Sequence, residues 1–199
     1  SAPREPVSEI VEAALGRLVA RLGVRRAVRV CVSSLTHVPA VAGWLRPVIL
    51  LPASALTGLS RTQLEAVLAH ELAHVRRHDY LVNLLQATVE TLLFYHPAVW
   101  WLGARIREER EHCCDDLAVA ACGSAPLYAE ALLSMEELRR SPELALAFSR
   151  GSLAGRIERL LAPNARGSEL FPRWIAGMSA FAVVVLFAAT SSLSEAAGA

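Results

Sequence analysis

His70-Glu71-Leu72-Ala73-His74 combines residue types and a spacing that suit metal-assisted hydrolysis. On a helix, residues four apart project from one face about a turn apart, so both imidazoles can reach one ion. Zinc prefers imidazole nitrogen in a tetrahedral array, and two such ligands supply half of it. Glu71 follows the first ligand and can reach a water molecule near the ion rather than the ion itself. There it would take a proton as that water attacks a polarised carbonyl. The bland reading, a solvated helix face with two satisfied histidines, does not explain a glutamate at that position.

Such a centre needs a third protein ligand and one open position, so the expectation is one zinc per chain. Carboxylates follow in a charged run from Arg105 to Asp116, and such a run is usually a solvated, salt-bridged face. A sharper reading pairs Glu111 with Asp115, four apart on one side. Glu111 would ligate the metal, and Asp115 would accept a hydrogen bond from the outer ring nitrogen of a ligand histidine. Glu108, one turn before Glu111, is the other candidate ligand. His78 lies two turns from His70, too far around and along to share its ion, and reads as exposed or as a local contact. His96, before Pro97 and among aromatics, reads as a core or interface histidine. Cys31, Cys113, Cys114 and Cys122 include no C-x-x-C pair and read as free thiols, not as a thiolate metal site.

The metal motif sits in a helix expected over Ser60 to Tyr80. Ser60 is a good N-cap and Gln63 stands three residues on, as in a capping box. Before it come an amphipathic helix over Glu9 to Leu22 and a short β-rich run over Val28 to Val32. His37 to Pro52 is broken by Pro39, Gly43, Pro47 and Pro52, which rules out a helix. Val48, Ile49, Leu50 and Leu51 suit a strand, and the flanking prolines suggest the edge of a sheet. An edge strand can be mere architecture that packs the core, or the place where an extended peptide adds on, and these four residues are the best candidate for a substrate-docking strand. Residues 81–102 are nearly charge-free. Asn83, Gln86, Glu90, His96 and Pro97 make them costly to expose fully to lipid, so a buried or partly membrane-dipping helical hairpin is expected. Pro97 kinks the chain or starts a new helix; helices follow over 103–122, closed by Gly123, then over 126–140 and 150–161. The fold class is mainly α with a small β-sheet (α+β).

The 199 residues carry a net charge of +1, which gives no sign of a nucleic-acid surface. The hydrophobic fraction of 54% is high for a soluble domain, with a mean hydropathy of +0.37. Part of the excess lies in 174–194, which has no charged residue and is long enough to cross a bilayer. Arg166 and Arg173 precede it, so the positive-inside tendency puts the metal domain in the cytoplasm. The organisation expected is a domain over 1–165, a basic linker over 166–173 and a transmembrane helix over 174–194. The chain begins at Ser1 with no signal-peptide pattern and reads as a fragment of something longer.

These residues lie among several linked motifs: VPAVAGWLRPVILLP, LEAVLAHELAHVRRHDYLVNLLQ, FYHPAVWW and EREHCCDD. In that order and separation they resemble the BlaR/MecR family of membrane-embedded metallopeptidases, across roughly residues 35–160. The resemblance implies a zincin-like fold of the gluzincin kind, with Glu111 as third zinc ligand and Asp115 behind it. The Glu111–Asp115 register is also similar to CAAX-protease and HtpX-type enzymes. Arg156 resembles an arginine that follows the active site in related gluzincins, where it would steady Glu111 or an oxyanion, or serve structure alone. The implied protein is a cytoplasmic-side endopeptidase of the cell membrane that cleaves itself or a transcriptional repressor when an external sensor is engaged. The N-terminal spans and the C-terminal sensor of that pattern are not in this sequence, so beta-lactam sensing is not carried over. The implied partners are a protein or peptide substrate and membrane lipid, without nucleic acid. A general membrane quality-control protease is the competing reading, and an inactive scaffold fits poorly with an intact Glu71.

Overall fold

The computed structural model describes residues 9–139 and 150–162. The predicted linker at 166–173 and the predicted span at 174–194 lie outside them. The described elements are α1 (Glu9–Leu22), β1 (Arg29–Ser33), β2 (Ala40–Ala42), β3 (Val48–Pro52), α2 (Ala53–Gly58), α3 (Arg61–Arg77), α4 (Asp79–Leu92), α5 (Pro97–Cys122), α6 (Ala125–Arg139) and α7 (Arg150–Leu161). The architecture is mainly helical with one three-stranded sheet, the α+β class expected. All of these elements belong to one compact unit, Ser1–Ala162, with Pro163–Ala199 a second unit of the chain. Among the described residues, no helix is long and apolar enough to cross a membrane.

Helix α3 runs through the middle of the core. Ala66, Leu68, Ala69, Leu72 and Ala73 are fully buried, and α1, α5 and α6 pack around them. Small alanines on this helix let its neighbours approach closely, which suits a site assembled from several helices. The capping box forms as read. Ser60 Oγ accepts from Gln63 N at 3.3 Å, and Gln63 Oε1 accepts from Ser60 N at 2.9 Å.

The sheet corrects the expected edge. Its order is β1-β3-β2, so Val48, Ile49, Leu50 and Leu51 form the central strand. β3 pairs in parallel with β1, Cys31 opposite Leu50, and antiparallel with β2, Val41 opposite Ile49. Pro47 and Pro52 bracket the four residues without falling among them, so every amide from 48 to 51 is free to pair, and the Pro47 carbonyl accepts from Arg29 N at 3.1 Å. Ile49 and Leu51 are fully buried in the core. Both edges of β3 are occupied, and it has no room for a docked peptide. The edge beside the helices is β2.

Two helix boundaries also differ from the sequence reading. The metal helix stops at Arg77, because His78 takes a left-handed conformation (φ 59°) and caps it. Pro97 starts a helix, one of the two readings of that residue, because its missing N–H is not needed in the first turn; this helix runs on for 26 residues, so the charged stretch does not begin a separate one at 103. His96 is the exposed N-cap of that helix, not a core residue; its Nδ1 accepts from Ala98 N at 3.2 Å. Gly123, with φ 80°, closes α5 as read.

Candidate metal centre

His70 and His74, one turn apart on α3, turn their Nε2 atoms toward each other at 3.2 Å. Glu111 reaches them from α5, with Oε2 at 3.5 Å from His70 Nε2 and Oε1 at 3.7 Å from His74 Nε2. Tetrahedral zinc with ligand bonds near 2.0–2.1 Å needs ligand atoms about 3.3 Å apart. The three atoms therefore fit one zinc ion. Glu108 points elsewhere: it pairs with Arg105 at 2.6 Å and is half exposed.

Each histidine is held from behind by a different device. His74 Nδ1 donates to Asp79 Oδ2 at 2.8 Å. Asp79 also takes Arg77 Nε at 3.4 Å and the thiol of buried Cys114, whose Sγ lies 3.3 Å from Oδ2. Cys114 thus sits with His74 and Asp79 in a second cluster of metal-binding residue types. Burial, and then the negative charge of Asp79, push its thiol pKa up, so it keeps its proton and acts as a donor. Behind His70, Tyr128 stands between ring and carboxylate. Nδ1 lies 2.8 Å from the tyrosine hydroxyl, which donates to Asp115 Oδ1 at 2.6 Å. The direct His70 Nδ1 to Asp115 distance is 3.4 Å. Asp115 was expected to accept from a histidine directly; the shorter path runs through Tyr128. In both devices Nδ1 carries the hydrogen, which leaves Nε2 free for a metal.

Arg156, from α7, completes the array. Its Nε and Nη2 grip Asp115 at 2.9 and 2.5 Å, and its Nη1 lies 3.3 Å from Glu111 Oε2. Asp115 is completely buried. Burial favours its neutral form, but the hydrogen bonds from His70, Arg156 and Tyr128 win and hold its carboxyl far below the usual range. Glu111 is lowered for a similar reason: burial opposes its charge, and His70, His74 and Arg156 outweigh that. Without metal, burial works against a proton on His70, yet the carboxylates of Asp115 and Glu111 raise its pKa to about 9. Glu71 is buried, and desolvation raises its pKa despite the two histidines beside it.

A cleft of about 390 Å³ opens over His70, Glu71, His74 and Glu111, walled by Pro39, Ala40 and Val41 of the β2 strip and by Tyr80 and Asn83 of α4. A smaller one of about 180 Å³, bordered by Tyr128, Met135 and Arg156, meets it at Pro39, His70 and Glu71. Open space therefore continues to both sides of the histidine pair, the two cavities meeting beside Pro39.

Residues 4–160 match the family model described as BlaR1 peptidase M56. This chain belongs to the BlaR1 peptidase M56 family. Within the curated proteins, this M56 chain is similar to the regulatory protein BlaR1 of Bacillus licheniformis, 31% identical over 120 residues. That stretch is 59% of the chain and 20% of the relative. The methicillin resistance mecR1 proteins of Staphylococcus aureus and Staphylococcus epidermidis are 27% identical over 77 residues, 39% of the chain and 13% of theirs. The chain spans about a fifth or less of the length of these relatives, and the resemblance to the BlaR/MecR family is borne out.

Of the residues singled out in the sequence, the M56 fold brings together His70, Glu71, His74, Glu111, Asp115 and Arg156, and leaves out the β3 strand and Glu108. Sequence reasoning missed Asp79, Cys114 and Tyr128. Asp79 had a faint signal, a carboxylate five residues past a ligand histidine. It became legible only once the left-handed turn at His78 swung it back. Tyr128 had none, because it is 58 residues from His70.

Proposed function

We propose that this chain is the peptidase module of a membrane signal transducer, hydrolysing peptide bonds with one zinc held by His70, His74 and Glu111. The observation that carries the reading is the convergence of those three ligand atoms, at separations fit for zinc, beside a buried Glu71 at the floor of an open cleft. When bound, the ion would supply Lewis acidity toward the scissile carbonyl and an attacking water. Glu71 takes the proton from that water and passes it to the departing amide nitrogen; its raised pKa suits both halves of that task. Tyr128 and Asp79 hold the two imidazoles in the required tautomer, and Arg156 keeps Glu111 in register.

The substrate lies extended against β2, whose outer edge borders the cleft, with main-chain hydrogen bonds at Ala40 to Ala42. The names of the BlaR1 and mecR1 relatives favour a signalling role over general quality control, with the protein itself or a transcriptional repressor as substrate. Residues 174–194 anchor the module to the cell membrane with its cleft on the cytoplasmic side.

Metal analysis and a cleavage assay on the longer protein test this reading. His70→Ala and Glu111→Ala should lose stoichiometric zinc, and Glu71→Gln should keep zinc and lose cleavage. Full zinc in either ligand variant, or cleavage by Glu71→Gln, would refute it.

A further inference from the structure

The α4–α5 hairpin presents an apolar surface that the folded unit does not cover. Leu85, Leu92, Phe94 and Tyr95 are each about two-thirds exposed, and Leu84 and Trp101 more than half. Monomeric soluble domains seldom display large side chains so densely. Two properties of this surface indicate what covers it.

The first is the fate of its polar groups. Thr88 and Thr91 return their hydroxyl hydrogens to Leu84 O and Ala87 O, at 2.9 and 2.7 Å. The Trp100 indole N–H closes on Phe94 O at 2.7 Å. Gln86 donates to Gly103 O at 2.9 Å and to Glu90 at 2.8 Å, and Glu90 is paired with Arg107 at 2.7 Å. Gly103 makes this inward clasp possible, since a Cβ there would collide with Glu90 Oε1. The side chains of Thr88, Thr91, Trp100 and Gln86 direct their hydrogens into the hairpin, as a medium without hydrogen-bonding capacity demands.

The second property is where charge begins. Between Tyr80 and Ala104 the only charged side chain is Glu90, already neutralised. At the base of the hairpin charges of both signs appear together: Arg105, Arg107, Glu108, Glu109 and Arg110. Tyr95, Trp100 and Trp101 gather at the tip side, residues that favour the boundary between hydrocarbon and water, so the tip lies shallow in the leaflet. With 14 residues α4 is only about 21 Å long, too short for a hydrocarbon core of about 30 Å. Its place is within one leaflet.

We infer that the α4–α5 hairpin dips its apolar tip into one leaflet of a lipid bilayer, without crossing it. Tyr80 and Asn83 of the same hairpin wall the metal cleft, so the cleft is held close to the bilayer surface. The natural reach of such a site is a peptide bond near a membrane, on a juxtamembrane stretch of protein.

The test uses the full chain in phosphatidylcholine vesicles with brominated acyl chains. A variant retaining Trp101 as its sole tryptophan (Trp44, Trp100 and Trp174→Phe) is compared with one whose sole tryptophan replaces Leu133 on α6. Lipid immersion predicts bromine quenching severalfold stronger at 101 than at 133. Adding Leu85→Glu and Leu92→Glu should reduce quenching at 101 to the level of 133, with zinc content retained to show an intact fold. Equal quenching at the two sites in the starting variants would overturn the proposal. So would a Trp101 shielded from both bromine and aqueous acrylamide, which would assign the face to residues 174–194 or to a second copy of the chain.

Discussion

His74 and His70 share a helix and are both partly buried, yet their supports are built in opposite ways. His74 leans on Asp79, five residues away across one left-handed turn, with Arg77 and Cys114 pressing on the same carboxylate. His70 leans on Tyr128 and, through it, on Asp115 and Arg156, three residues from three different helices. The first support forms when α3 ends; the second exists only after α5, α6 and α7 have docked. His74 is therefore organised mainly by the end of its own helix, and His70 only by the packing of three others. Arg156 also touches Glu111, so the docking of α7 bears on Glu111 as well as on His70.

Breaking the long-range support should have the largest effect. Asp115→Ala leaves the Arg156 guanidinium facing a cavity without its partner and should destabilise the fold by about 3–5 kcal/mol. Urea unfolding of the zinc-free chain measures this, and a loss below 1 kcal/mol would show that the pair contributes little.

Asp79→Asn removes the charge behind His74 while preserving shape. It should weaken zinc binding by about 10–100-fold and leave the zinc-free protein folded. Competition with a chelator reads the affinity, and an unchanged value would place Asp79 outside the support. Tyr128→Phe should sit at the low end of the same range, about tenfold, because Asp115 is already near enough to His70 to take over part of the role.

Acidity sharpens the contrast further. His70 in the zinc-free chain titrates near 9, so at neutral pH zinc must displace a proton from it. Apparent affinity should rise about tenfold per pH unit toward 9 from this group and level off above it. In Asp115→Asn the carboxylate that favours that proton is gone, and the plateau should begin at lower pH. A plateau unmoved by the substitution would mean that Asp115 does not govern His70. The smallest effect is expected from Cys114→Ser, which keeps a donor to Asp79 and should change zinc affinity by less than about tenfold.

Much of this centre was legible before any coordinates, and the reason is the α-helix. Four-residue spacing on a capped helix puts His70 and His74 on one face whatever else the chain does, and Glu71 follows beside them. The capping box, the Gly123 stop and the linked motifs of the M56 family are similarly local in the chain. Helix periodicity did less for the carboxylates: Glu108 and Glu111 are both plausible on one turn, and only the docking of α5 on α3 selects Glu111.

Strand order was misread for a comparable reason. Flanking prolines constrain their own amides, not those of the four residues between them, so Pro47 and Pro52 leave β3 free to be central. Which strand becomes the edge depends on how β1 and β2 return to it, and that is a property of the assembled sheet.

The sequence by itself determined the placing of His70, Glu71 and His74 on one helix and the family, because these rest on spacing along a single helix and on order along a single chain. Tertiary structure alone decided which carboxylate meets the two histidines, the edge that borders the cleft and the Tyr128–Asp115–Arg156 brace. Each of these depends on the packing of elements tens of residues apart, where no periodicity in the chain records which side chains will meet.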